Sequence, residues 1–163
     1  MYNTLKMKNK KGFTLVELLV VMAIISILTI LSVANFRNVQ IKARDAQRKS
    51  DLSQLQKALE LYFNDHGTYP DSSVNGEVNT FGWKVPGTTS GGNFTDGNTV
   101  YLKEMVGDPS ANPNYCYTSD GTYYVVYARL ENINDPKIGS YTCNGESYNY
   151  EASSPNPEPE STP

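Results

Sequence analysis

Phe13 to Phe36 reads FTLVELLVVMAIISILTILSVANF, a run of 24 residues in which Glu17 is the only charge. At about 1.5 Å per residue such a helix reaches roughly 36 Å, enough to cross a hydrocarbon core of about 30 Å with some tilt. The run therefore predicts a membrane helix over residues 13–36. Residues 1–12 hold Lys6, Lys8, Lys10 and Lys11 and no acid. The positive-inside rule keeps that leader cytoplasmic and places the carboxyl-terminal bulk on the exported side. Two plainer readings stay open. Ser32-Val33-Ala34 is a passable small-x-small cleavage site for a secretory signal, and a simple uncleaved anchor needs nothing beyond the run itself. Neither explains Glu17.

A carboxylate inside a spanning helix is costly and is usually kept because it has a partner. No basic side chain lies within the run. A cut between Gly12 and Phe13 would supply one, because the new amino group of Phe13 would sit four residues before Glu17, on the same face and at the same end of the helix. Lys11-Gly12-Phe13-Thr14-Leu15-Val16-Glu17, followed by the long apolar run, closely resembles the processing site of type IV pilins and the related type II secretion pseudopilins. The resemblance implies that residues 1–12 are a leader removed after Gly12 by a membrane prepilin peptidase, and that the new amine on Phe13 is methylated. It also implies that Glu17 neutralises the terminal amine of an adjoining subunit as the helices pack into a filament. Family members commonly carry a proline near the end of the apolar half, where this chain has Ser32-Val33-Ala34-Asn35. Without it the helix is expected to stay straighter.

Beyond Phe36 there is no Gly or Pro until Gly67, so one helix of about 80 Å is predicted from Phe13 to about Asp65. Its second part, 37–66, is read as an amphipathic stalk and head helix. A step of about 100° per residue puts Ile41, Leu52, Leu55, Leu59 and Tyr62 on one face, suited to packing on a sheet. Residues 42–51, KARDAQRKSD, hold no large apolar side chain. They read as a solvated connecting stalk outside any globular core, with Arg44, Arg48 and Lys49 as candidates for electrostatic contacts between subunits. Residues 37–57 hold six bases against Asp45 and Asp51, which points to lipid headgroups or acidic neighbours. Gly67 fits a C′ position and Tyr69-Pro70 ends the helix. Leu61 to Pro70 is similar to the helix end of pseudopilins and many bacterial pilins, and His66 there reads as structural.

Residues 67–150 are read as a globular α+β head. From Glu60 onward 14 acids stand against Lys84, Lys103, Arg129 and Lys137, a balance that argues against nucleic-acid binding by the head. Six glycines fall between Ser72 and Thr99, predicting a long surface loop with one hairpin near Phe81 to Val85. Trp83 is either a core plug under that loop or an exposed contact. Tyr101 to Val106 is expected to form a short helical turn. Asp108, Pro109, Asn112 and Pro113 match a loop of the major pseudopilins whose Trp and Gly are Ser110 and Ala111 here, and the calcium loop of those proteins has no counterpart. Strands are predicted at Tyr115 to Thr118 and at Tyr123 to Glu131, where Tyr124, Val126, Ala128 and Leu130 alternate with more polar neighbours, with a third at Tyr141 to Cys143 extending the same sheet. Cys116 and Cys143 are expected to form a disulfide on the exported side, stabilising the head by roughly 3 kcal/mol. Eleven of the 12 tyrosines follow residue 60, as ordinary strand formers or as an adhesive surface. The end, 151–163, has four prolines and three acids and reads as a disordered tail.

One histidine and two cysteines leave too few ligands for a four-ligand transition-metal site, so no metal and no cofactor are expected. No nucleophile has a nearby base, and an enzyme is not expected. The chain reads as an α+β, type IV pilin-like protein: a long amino-terminal helix, its apolar half in the membrane, packed on a small antiparallel sheet. The resemblance implies a structural subunit of a pilus-like filament, made of copies of itself and built by pilus or secretion assembly machinery. It would span the cytoplasmic membrane once with its head exported and then join an extracellular or periplasmic filament. A type II secretion pseudopilin, or a minor pilin acting as an adhesin-type membrane-anchored binding protein, is the alternative.

Overall fold

The computed structural model describes residues 12–156 apart from 74, 80, 87–90 and 111–113, and gives the backbone alone for 30–35. The leader up to Lys11 and the end from 157 therefore lie outside the described residues, as do Asn112 and Pro113. One helix, α1, runs Leu15–His66. It opens on Thr14 and closes at Gly67, whose φ of 74° and N–H bond to the Phe63 carbonyl (2.7 Å) make a left-handed cap. The chain divides into two compact units, Met1–Gln40 and Ile41–Pro163.

The first unit holds the apolar part of α1. The large hydrophobic side chains described there point to every side of the helix and are exposed, from Phe13 at 86% to Leu28 at 58%. Among the described residues no helix is long and apolar enough to cross a membrane. That description contains no side chain between Thr29 and Phe36, so the end of the predicted span lies outside it.

The second unit is an α+β head. Strands β3 (Cys116–Ser119), β4 (Tyr124–Ala128) and β7 (Tyr150–Ser153) form an antiparallel sheet in the order β3-β4-β7, with Tyr117 opposite Val126 and Val126 opposite Ala152. Tyr124, Val126 and Ala128 alternate inward as their pattern predicted, and all three are fully buried with Leu52, Leu55 and Leu59 of α1. Each buried leucine contributes about 1.5–3 kcal/mol through apolar burial. Two small hairpins complete the head, β1 (Phe94–Thr95) with β2 (Val100–Leu102) and β5 (Tyr141–Cys143) with β6 (Glu146–Tyr148).

Several sequence expectations change. The third strand of the main sheet is β7, not Tyr141–Cys143, which pairs instead with β6 across Asn144-Gly145. Residues 151–153 thus belong to the head rather than to a disordered tail. The open edge of β4 needs a partner, and Tyr150 and Ala152 pack on the core as they supply it. Val100–Leu102 is a strand, not part of a helical turn, because the Asp96 carboxylate accepts the N–H groups of Asn98 and Thr99 and folds the chain back on β1. In the 72–99 loop, Val78 bridges singly to Ser72 and to Phe81 in place of a Phe81–Val85 hairpin. Trp83 is the core plug, 6% exposed, its Nε1–H donating to the Gly76 carbonyl at 3.2 Å. Gly76 has a φ of 70°, and a Cβ there would collide with the Cys116 sulfur.

Candidate processing and assembly site

Thr14 and Glu17 form a reciprocal cap at the start of α1. The Thr14 backbone N–H and hydroxyl both donate to Glu17 Oε2, at 2.7 and 2.8 Å, and the Glu17 N–H donates to the Thr14 hydroxyl at 3.2 Å. This is a capping box, in which a Thr at the N-cap and an acid three residues later satisfy orphan donors of the first turn. Phe13 precedes it, fully exposed, and nothing lies within 4 Å of where a side chain at Gly12 would begin. The Gly12–Phe13 bond thus lies just ahead of the capped start of α1. The sequence reading missed this partner of Glu17, for which the Thr14-x-x-Glu17 spacing is the local signal.

The stretch 42–51 does something the sequence did not show. Asp45, Arg48 and Asp51 are 4%, 2% and 8% exposed. Arg48 donates all five of its N–H bonds: a fork onto Asp108 (Nε to Oδ2 2.6 Å, Nη2 to Oδ1 3.0 Å), with Nη2 also to Ser110 Oγ and Nη1 to Asp45 and Glu131. Arg44 forks onto Glu131, and Lys49 pairs with Asp135. The three bases expected to reach other subunits instead bind their own head. The expectation of a solvated stalk at 42–51 fails because it counted only apolar side chains, whereas charged partners 60–87 residues away draw this turn of α1 into the fold. Asp108 of the pseudopilin-like loop is where Arg48 lands. Among the described residues no buried side-chain N or O atom lacks a hydrogen-bond partner.

These pairs set an acid limit. The Arg44 hydrogen bond, helped by Arg48 and opposed by burial, holds the Glu131 carboxyl at about 2. Burial pushes Asp108 up, but Arg48 and Ser110 pull it further down, below the ordinary range. For both, the folded value lies below the unfolded one; the Glu131 contribution is complete above about pH 4.5 and is lost as pH falls through about 2, and that of Asp108 is lost in the same direction. Burial raises Asp51, which carries the opposite sign and offsets a part. Acid titration of the full chain in detergent, followed by Trp83 fluorescence, is expected to show denaturant stability declining across that window. A flat response there would disprove the assignment.

Cys116 and Cys143 are joined in a disulfide with a Cα–Cα distance of 6.3 Å, tying β3 to β5 beside Tyr148. His66 is a helix-end brace. Its Nε2 lies 3.0 Å from Asp96 and 3.2 Å from the Tyr101 hydroxyl, and its ring stacks on Tyr62. Among the described residues no group of three or more His, Cys, Asp or Glu side chains is placed to hold a metal ion.

Residues 7–33 match the family described as the prokaryotic N-terminal methylation motif. The type II secretion system core protein G of Vibrio cholerae is 32% identical over 116 residues, 71% of this chain and 75% of that protein. The protein of the same name from Aeromonas hydrophila is 31% identical over 118 residues, 71% of this chain and 78% of that protein. The type IV major pilin protein PilA of Myxococcus xanthus is 36% identical over 61 residues, 37% of this chain and 28% of that protein. No solved structure matches at a significant level. A methylation motif opening a long helix that continues into small antiparallel sheets defines the class of filament subunits. The chain belongs to the type IV pilin and type II secretion pseudopilin family.

Proposed function

We propose that this chain is a structural subunit, not an enzyme, of a pilus-like filament assembled from the cytoplasmic membrane. Its leader is cut between Gly12 and Phe13 by a prepilin peptidase, and the new amine of Phe13 is methylated. The 13–36 helix holds the subunit in the membrane with its head exported until it joins copies of itself in an extracellular or periplasmic filament. There Glu17 pairs with a neighbour's Phe13 amine. The reading is carried by the first half of α1, whose large apolar side chains from Phe13 to Leu28 are exposed on every side of the helix, each by about half or more. Such a helix needs lipid or other helices around it.

A type II secretion pseudopilus is the second reading. It is favoured by the likeness to core protein G, which extends over 71% of this chain against 37% for the pilin. Both readings share the same processing. Expression with a matching prepilin peptidase, followed by intact mass and amino-terminal sequencing, is expected to yield a chain beginning with N-methylated Phe13. A mature chain starting at Asn35 or an uncut Met1 would overturn the proposal.

A further inference from the structure

The head carries a cleft of about 390 Å³ between α1 and the segments around Lys84 and Glu104–Pro109. Asp51 lines it and is 8% exposed. Its Oδ2 accepts from the Tyr115 hydroxyl at 2.9 Å, a neutral donor, and among the described residues no cation forms an ion pair with it. The other charges of the cleft are balanced: Lys84 pairs with Glu104 at 2.8 Å, and Asp108 with Arg48. Burial pushes the Asp51 carboxyl up, against the pull of Tyr115 and Lys84. An ionised Asp51 therefore costs the folded head stability near neutral pH, where an Asn would not. A buried carboxyl without a counter-ion among the described residues, in a head whose other buried charged groups are paired, is the sort of local violation that function explains.

The lining indicates what fits. Pro86, Met105 and Pro109 offer apolar wall to a methylene stem, Gln47 and Gln54 offer amide oxygens, and Asp51 offers the charge. That is a slot for a Lys or Arg side chain. On α1, Arg44, Arg48 and Lys49 are used within the head, and Lys57 lines a separate groove with Ser153 and Pro155. Arg37 and Lys42 remain, both exposed and without an ion pair among the described residues. We propose that in the filament the Asp51 cleft receives the basic α1 segment Arg37–Lys42 of a second copy of this chain. The contact is heterologous, helix of one copy to head of the next, so it propagates instead of closing. It rests on the filament reading above.

The test uses the full chain, co-expressed with its peptidase, carrying Asn38→Cys beside Arg37 and Gln54→Cys at the cleft. Oxidised filaments are expected to give a ladder of cross-linked copies that either single cysteine variant lacks. Adding Asp51→Asn, which keeps an acceptor for the Tyr115 hydroxyl, is expected to abolish the ladder while the thermal midpoint of the head stays level or rises. Filaments without cross-links would overturn the docking and leave the filament reading standing; no filaments from the parent chain would overturn both. A ladder indifferent to Asp51→Asn, or a cross-link to a protein of another mass, would overturn the proposal as well.

Discussion

Arg48→Ala is expected to destabilise the head by about 3–5 kcal/mol, the cost of removing one partner from a buried ionic cluster. The guanidinium is 2% exposed and holds Asp108, Asp45 and Glu131 together. Without it Asp45 and Asp108, at 4% and 1% exposure, keep their charge in a site closed to water. For a unit of this size the loss corresponds to a fall in thermal midpoint of about 10 °C or more. The variant should also lose much of the acid dependence ascribed to Asp108 and Glu131, because the cation that depresses Asp108 is gone. Arg48→Lys is expected to recover only part of the stability, since an ammonium offers three donors and no planar fork for Asp108. Arg44→Ala should cost less, its side chain being about a third exposed. Thermal unfolding followed by circular dichroism decides it, and an Arg48→Ala midpoint equal to that of the parent would show that the cluster does not hold the head together.

Why the leucine face of α1 was legible and this cluster was not comes down to range. Leu52, Leu55 and Leu59 announce themselves within two turns, because helical periodicity is a local property of the chain. The meaning of Arg48 depends on Asp108 and Glu131, 60 and 83 residues away, and no local pattern links them. A segment without large apolar side chains looked solvated when it was a polar core. The sheet shows the same division. Alternation at Tyr124, Val126 and Ala128 identified β4, yet which strand would pair with its other edge was a tertiary matter. Glu151 and the prolines after it made β7 look like tail, although only Tyr150 and Ala152 needed to face inward. The hairpin β5–β6 did carry a local signal. Asn144 and Gly145 have φ of 49° and 80°, the left-handed pair of a two-residue turn for which Asn-Gly is the strongest short-range cue.

Glu17 has two partners to choose between, and two substitutions separate them. In the uncut chain its carboxylate completes the cap with Thr14. After cleavage, by the function proposed above, it faces a neighbour's Phe13 amine inside the filament. Gln completes a capping box as Glu does, so Glu17→Gln preserves the helix start and removes only the charge, whereas Glu17→Ala removes both. If capping were the whole role, Glu17→Gln would assemble like the parent. If the carboxylate neutralises an amine in the apolar filament interior, both variants leave that amine uncompensated and fail alike. Each subunit contact would then weaken by about a hundred-fold or more. The expected result is that both variants are exported, cleaved and folded in the head, and that neither yields filaments. Intact mass and head unfolding establish the first three; electron microscopy and immunoblotting of the sheared fraction establish the last. Normal filaments from Glu17→Gln would assign Glu17 to the cap and remove charge pairing from the assembly mechanism. The loss of a single cap, about 1 kcal/mol at a helix end, is too small to abolish assembly by way of a 52-residue helix. Equal failure of the two variants therefore points to the missing charge.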